Sequence, residues 1–237
     1  MPNNKPVIIL GDIHGAFDSL VNQVTRIDIS SCYLICVGDL GIGFNYPSDG
    51  ELRACNKLND FFAARDIQFM SIRGNHDNPA YFNGSKRIEL SHLKLLSDYH
   101  TETLNGEKYL FVGGAVSIDR VHRIPDRSWW ADEKFIYDES KVMTCDVLIT
   151  HSGPTYVGPF DKQGLSGWIQ QDPLLWDICY AERIAHNQLI ENCRAKTHYC
   201  GHFHCKDWAV SPNGICTSRI LDIEEIYEHK QYDKFRN

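Results

Sequence analysis

Short apolar runs recur along this chain, and each stops abruptly at or near a glycine or a histidine. Val7 to Leu10, Tyr33 to Val37, Ile67 to Ile72, Val147 to Thr150 and Thr197 to Cys200 have few polar breaks, the pattern of strands covered on both faces. Between them the period changes. Phe17, Leu20, Val21, Val24 and Ile27 recur at helical spacing. So do Leu52, Cys55, Leu58, Phe61 and Phe62 in a helix predicted over Glu51 to Ala64, and Ile178, Ala181, Ile184, Ala185 and Leu189 in one over Asp177 to Asn192. The middle differs: Ile88 to Leu90, His100 to Leu104 and Tyr109 to Val112 are short alternating runs joined by turns such as Asn105-Gly106. They predict a second, more antiparallel sheet. A last strand is expected over Ile215 to Arg219, before an acidic stretch from Asp222 to Glu228. Strands alternating with amphipathic helices make this an α/β chain of two packed sheets with helices outside.

Composition narrows the picture. With 237 residues, 43% of them hydrophobic, and no Pro/Ser-rich linker or charge block, a single domain over residues 1–237 is expected. The first apolar run is too short for a signal peptide or a membrane span, which predicts a cytoplasmic protein with no membrane partner. Nine cysteines are an odd number without a paired framework, so Cys32, Cys36 and Cys145 are expected to be reduced core residues. Cys200 and Cys205 flank a histidine pair but lack the second close pair of a structural zinc site. The net charge of −7 argues against a general basic groove for long nucleic acid and leaves a nucleotide or other small phosphoester open.

The residues that follow the strands carry the chemistry. Gly11-Asp12-Ile13-His14, Gly38-Asp39, Gly74-Asn75-His76-Asp77, Thr150-His151 and Gly201-His202-Phe203-His204 each lie just behind an apolar run, on loops at one edge of a sheet. Taken singly they mean little: an aspartate after a strand is a common turn or helix cap, and a single histidine is commonly structural. Together they assemble hard carboxylate oxygens and imidazoles. That donor mixture suits Mn²⁺, Fe, Zn, Co or Ni and disfavours Mg²⁺ and Ca²⁺. His92, His100, His122, His186, His198 and His229 fall outside these pieces and are expected to be surface or core residues.

In this order the pieces resemble the calcineurin-like metallophosphoesterase superfamily, which makes Mn²⁺ the expected metal, and the segment Ser117 to Trp130 after Gly113-Gly114 resembles a feature of its small bacterial and phage members. The resemblance implies a four-layer α/β/β/α sandwich and two divalent metal ions: Asp12, His14 and His204 on the first, Asn75, His151 and His202 on the second, and Asp39 bridging. It also implies His76 as general acid, with Asp77 either orienting His76 or capping the following turn. Arg73 is a candidate phosphate clamp, or an ion pair bracing its loop. Arg120 and Arg123 are candidate substrate contacts in an Arg- and Trp-containing segment that runs to Trp129-Trp130. Those tryptophans either stack a base or anchor a loop, and Trp168 lies in a further glycine-containing loop that lines the same mouth.

A water shared by two divalent ions loses a proton more readily than bulk water, so the expected reaction is hydrolysis of phosphomono- or phosphodiesters. Asp39-Leu40-Gly41 lacks the Asp-Arg-Gly motif of the protein phosphatase branch, while Gly-Asn-His-Asp and Gly-His-x-His are similar to the nucleotide phosphodiesterase and nuclease branch. A small phosphoester or nucleotide is therefore the expected substrate. Serine/threonine phosphoprotein phosphatase is the alternative, and nucleic-acid end processing and a non-catalytic scaffold are further readings.

Overall fold

The computed structural model describes residues 4–44, 48–159 and 161–230. Strand β1 (Val7–Leu10), helix α1 (Phe17–Arg26), β2 (Tyr33–Cys36), α2 (Ser48–Ala64), β3 (Gln68–Ser71) and β4 (Leu93–Leu95) form the first half. Then come β5 (His100–Leu104), β6 (Glu107–Val112), β7 (Val147–Thr150), the short α3 (Ser166–Ile169), α4 (Leu175–Cys193), β8 (Thr197–Cys200), β9 (Asp207–Val210), β10 (Thr217–Ile220) and β11 (Ile226–Glu228).

Among the described residues the strands make two mixed sheets, ordered β11-β1-β2-β3-β4 and β5-β6-β7-β8-β10-β9. Alternation along each strand sorts the side chains into layers. Ile9, Ile35 and Met70 from the first sheet meet Phe111, Ile149 and Tyr199 from the second. The opposite parity faces outward: Leu10, Leu34 and Phe69 pack on Leu20, Val24, Leu58 and Phe62 of α1 and α2, while Leu110 and Leu148 pack on Leu189 and Ile190 of α4. The order of layers is helix, sheet, sheet, helix, as expected.

The middle departs from expectation. Ile88 to Leu90 is not a strand; Ile88 and Leu90 instead pack beside Ile42, Cys55 and Phe82. The strand lies just beyond, where Leu93 pairs with Phe69 and β4 extends the first sheet in parallel. Only β5 with β6 and β9 with β10 are antiparallel in the second sheet; β6, β7, β8 and β10 run parallel. The acidic stretch contains β11, paired antiparallel with β1.

Helix faces also differ. Leu52 and Ile27 are exposed, and α4 exposes Ile184 while burying Glu182, Arg183 and His186. Glu182 and Arg183 are fastened to neighbouring loops. The Glu182 carboxylate accepts from the backbone N–H groups of Val116 and Phe135, and the Arg183 guanidinium donates to the carbonyls of Pro154, Val157 and Pro159. Burial pushes the Glu182 carboxyl up to about 7. Cys32, Cys36 and Cys145 are buried thiols outside any disulfide, as expected. No helix among the described residues is long and apolar enough to cross a membrane.

Candidate active site

Both sheets place parallel strands side by side, so the loops after β1, β2 and β3 of one sheet meet those after β7 and β8 of the other at a common edge. Backbone bonds weave the loops together. Ile13 and His14 donate to the Asp39 carbonyl, Gly201 donates to the His151 carbonyl, His202 N–H donates to Asp12 Oδ2 and His76 N–H to Asp39 Oδ1.

The seven expected ligands come together in two groups that share one carboxylate. In the first, His14 Nε2 and His204 Nε2 lie 3.0 Å apart, His204 Nε2 is 3.4 Å from Asp12 Oδ2, and His14 Nε2 is 3.8 Å from Asp39 Oδ2. In the second, Asn75 Oδ1 is 3.1 Å from His151 Nε2 and 2.9 Å from His202 Nδ1, and His151 Nε2 is 3.2 Å from Asp39 Oδ1. Asp39 thus turns one oxygen to each group.

These residues fit a pair of cations. Two donors each about 2.1 Å from one ion and at right angles to each other stand about 3.0 Å apart, the spacing seen between His14 and His204. The buried Asp12 Oδ1 has no hydrogen-bond partner, a gap that a cation closes. His151 Nδ1 lies 2.9 Å from the Val37 carbonyl and donates to it; burial lowers this ring, but Asp39 and Asp12 outweigh it and push it up to about 10, so the proton on Nε2, between Asp39 and Asn75, is the one a cation would displace. Asn75 Nδ2 donates to Ser117 Oγ, fixing the amide so that its oxygen faces the imidazoles. Burial would raise the Asp39 carboxyl, but His151, His76 and His14 more than offset it and hold it below the usual carboxylate range. Burial lowers His14 and His202, favouring neutral rings able to ligate.

The local backbone is unusual. His14, Asp39, His202 and His204 have φ of 50°, 50°, 68° and 49°, so four of the seven side chains project from left-handed turns that non-glycine residues seldom adopt. Close approach explains two glycines: a Cβ at Gly74 would strike the Asp39 carboxylate, and one at Gly201 that of Asp12.

The other candidates separate. Arg123 is in the site, its side chain only 6% exposed and 2.7 Å from Asp119. It donates to the Asn75 carbonyl at 2.9 Å and lies 2.7 Å from His76 Nε2. A guanidinium only donates, so His76 accepts at Nε2 and carries its proton on Nδ1. Burial pushes His76 down to about 4; Asp39 opposes this and Arg123 adds to it.

Arg73 is a correction to its reading as a phosphate contact. Its fork is taken up by Asp98 and by the carbonyls of Asp132, Glu133 and Lys134, the ion-pair brace. Arg120 likewise pairs with Asp172 at 2.6 Å, holding its turn to the segment before α4. Asp77 neither orients His76 nor caps the following turn, a cap supplied by Asn78. Its buried carboxylate accepts from the N–H groups of Leu40, Gly41, Ile42 and Gly74, joining the Asp39 loop to the Asn75 loop. Trp130 is buried beside Phe44, whereas Trp168 lines a cavity of about 490 Å³ that opens beside the ligands. Ser117, which fixes Asn75, carries no sequence signal beyond its place after Gly113-Gly114.

With this geometry in view, the comparisons with known proteins are decisive. The model of the calcineurin-like phosphoesterase family matches residues 5–206. The chain belongs to the calcineurin-like phosphoesterase family. It is a metal-dependent hydrolase of phosphoesters. A dimetal phosphatase from Danio rerio has a similar structure at TM-score 0.53 and 12% identity, covering 93% of this chain and 88% of its own. Phosphopantetheinyl hydrolase from Mycobacterium tuberculosis aligns at TM-score 0.47 and 11% identity over 100% of both chains. GAP50, the anchor in the inner membrane complex of Plasmodium, aligns at TM-score 0.45 and 11% identity, covering 92% of this chain and 71% of that one. At 12% identity the likeness to the Danio rerio protein speaks to fold alone. No curated protein matches.

Proposed function

We propose that this chain hydrolyses a small phosphomonoester or phosphodiester, a nucleotide included, at a dinuclear centre held by Asp12, His14, Asp39, Asn75, His151, His202 and His204. The observation that carries the reading is Asp39, which offers one oxygen to each donor group. Two bound divalent ions, Mn²⁺ by preference, supply an activated water and offset charge building on the phosphoryl oxygens.

The chain's own residues do the rest. Asp39 sets the separation of the two groups, and the neutral Asn75 donates without adding charge that repels phosphate. Arg123 holds His76 Nε2 and the Asn75 carbonyl, which puts its guanidinium beside the cage, where it can turn to an incoming phosphate oxygen. When Arg123 turns to the phosphate, His76 Nε2 loses its donor and is free to take up a proton from water and pass it, as the imidazolium, to the leaving oxygen.

Elemental analysis of active protein is expected to find two metals per chain. Asp39→Asn is expected to lose metal and turnover together; full activity with both metals retained refutes the bridge. His76→Ala should keep both metals and lose rate mostly on esters with poor leaving groups, because an activated aryl phosphate needs little protonation. A panel of an aryl monoester, an aryl diester, cyclic nucleotides and a phosphopeptide assigns the ester class, and preference for the phosphopeptide would favour the protein phosphatase alternative.

A further inference from the structure

We propose that the cavity beside the ligand cage receives a flat, uncharged aromatic group attached through a single phosphate, with Trp168 as the surface on which that group stacks. The inference rests on reading the cage as a phosphoesterase site. At about 490 Å³ the cavity falls among pockets that enclose a small organic molecule. Its lining joins the cage residues Asp39, Asn75 and His202 to the apolar side chains of Ile118, Leu165, Trp168 and Phe203, with the Phe203 ring 5.2 Å from that of His202. A phosphate on the cage therefore directs its ester group toward an apolar, partly aromatic wall.

That wall is supported from behind. Trp168 and Ile118 pack against the buried Val116, Leu175 and Cys179, and the Trp168 ring meets His122 edge-on at 6.0 Å. The Phe203 ring lies 4.6 Å below the Arg183 guanidinium. Surfaces held in this way bind a planar group without first having to order themselves.

Charge selects among occupants. Two guanidiniums border the cavity, and both are engaged: Arg123 with Asp119, His76 and the Asn75 carbonyl, Arg183 with the carbonyls of Pro154, Val157 and Pro159. The remaining charged groups on the lining away from the cage, Asp119, Asp161 and Glu182, are acidic. A second phosphate, as in a pyrophosphate or polyphosphate, would find both guanidiniums on the lining already committed, Arg123 to Asp119 and Arg183 to backbone carbonyls, whereas a neutral ring meets Trp168 and Leu165. Nucleosides and simple aryl groups share this chemistry.

The test compares kcat/KM of the metal-loaded protein for a nucleoside 5′-monophosphate, benzyl phosphate, glycerol phosphate and pyrophosphate, the three esters all leaving as alkoxides. Wild type is expected to prefer the aromatic esters. Trp168→Ala should lower the ratio of aromatic to glycerol ester by on the order of tenfold, and Trp168→Phe should keep most of it. The nucleotide and benzyl arms show whether the pocket is shaped for a base or for any ring. A ratio unmoved by Trp168→Ala, or a wild-type preference for glycerol phosphate or pyrophosphate, overturns the proposal.

Saturation-transfer NMR with adenosine on the chelator-treated full-length protein reads the pocket without turnover. Contact that depends on Trp168, in a protein that cleaves no ester, would keep the pocket and discard the phosphoesterase reading. Ester cleavage with no aromatic preference and no such contact would do the reverse.

Discussion

Asp77→Asn separates a residue that acts through His76 from one that builds the cage. Asp77 Oδ1 accepts from Gly41 and Ile42 N–H, and Oδ2 from Leu40 and Gly74 N–H, at 2.7 to 3.2 Å. Burial and the neighbouring Asp39 push the carboxyl up to about 7, while four converging donors favour the ionised form, and a cation beside Asp39 would relieve the repulsion. An asparagine amide can present its oxygen to one pair of donors only; its NH₂ then faces the other pair. At least two hydrogen bonds to a charged group are lost, each worth roughly 1.5–3 kcal/mol. Allowing for loop relaxation, about 3 kcal/mol of stability should go, a fall in Tm of roughly 6–12 °C for a chain of this size. The loops that separate carry Asp39 and Asn75, so metal occupancy should fall below two with turnover. Thermal unfolding by circular dichroism, elemental analysis and rates on aryl phosphates of graded leaving-group pKa check each part. Wild-type Tm and full metal, with rate lost only on poor leaving groups, would refute the account and return Asp77 to the role of orienting His76.

Arg73→Met should cost about 3 kcal/mol, the low end for breaking a buried pair because Asp98 keeps 30% exposure. The KM for phosphoester should stay unchanged below the melting temperature; a large rise in KM at unchanged Tm would make Arg73 a phosphate contact. Gly201→Ala should weaken metal binding by roughly tenfold or more without loss of secondary structure, because the added methyl meets the Asp12 carboxylate. Metal titration followed by circular dichroism checks it. His198, buried between Thr150 and Ser218, is pushed by burial down to about 3 from 6.5. The folded state then holds fewer protons than the unfolded chain between those values, so this contribution is full above pH 6.5 and lost as pH falls toward 3. Relative to wild type, His198→Gln should flatten the stability–pH slope between about pH 6 and 4 by up to about 1.4 kcal/mol per pH unit, read from urea unfolding at several pH values. An unchanged slope would mean that His198 is charged in the fold.

Much of this protein could be read locally. An unbroken apolar run such as Val147 to Thr150 buries both its faces, and the residue after it must then leave the sheet, so strands and loop ligands are written side by side in the chain. The same holds for Asp12, Asp39 and His202, whose neighbouring glycines register the crowding that the loops impose. Roles that depend on a partner far along the chain could not be read in this way. Arg73 and Arg123 are alike in isolation, yet one is enclosed by Asp98 and three carbonyls while the other faces His76. Asp77 sits next to His76 in sequence, but its carboxylate is turned to N–H groups more than thirty residues away. Helical periodicity put Ile184 in the core, whereas α4 buries Glu182 and Arg183 because loops bring backbone donors and acceptors to meet them. Apolar periodicity and glycine spacing are properties of the chain itself, while a buried charge takes its meaning from whatever the fold sets against it.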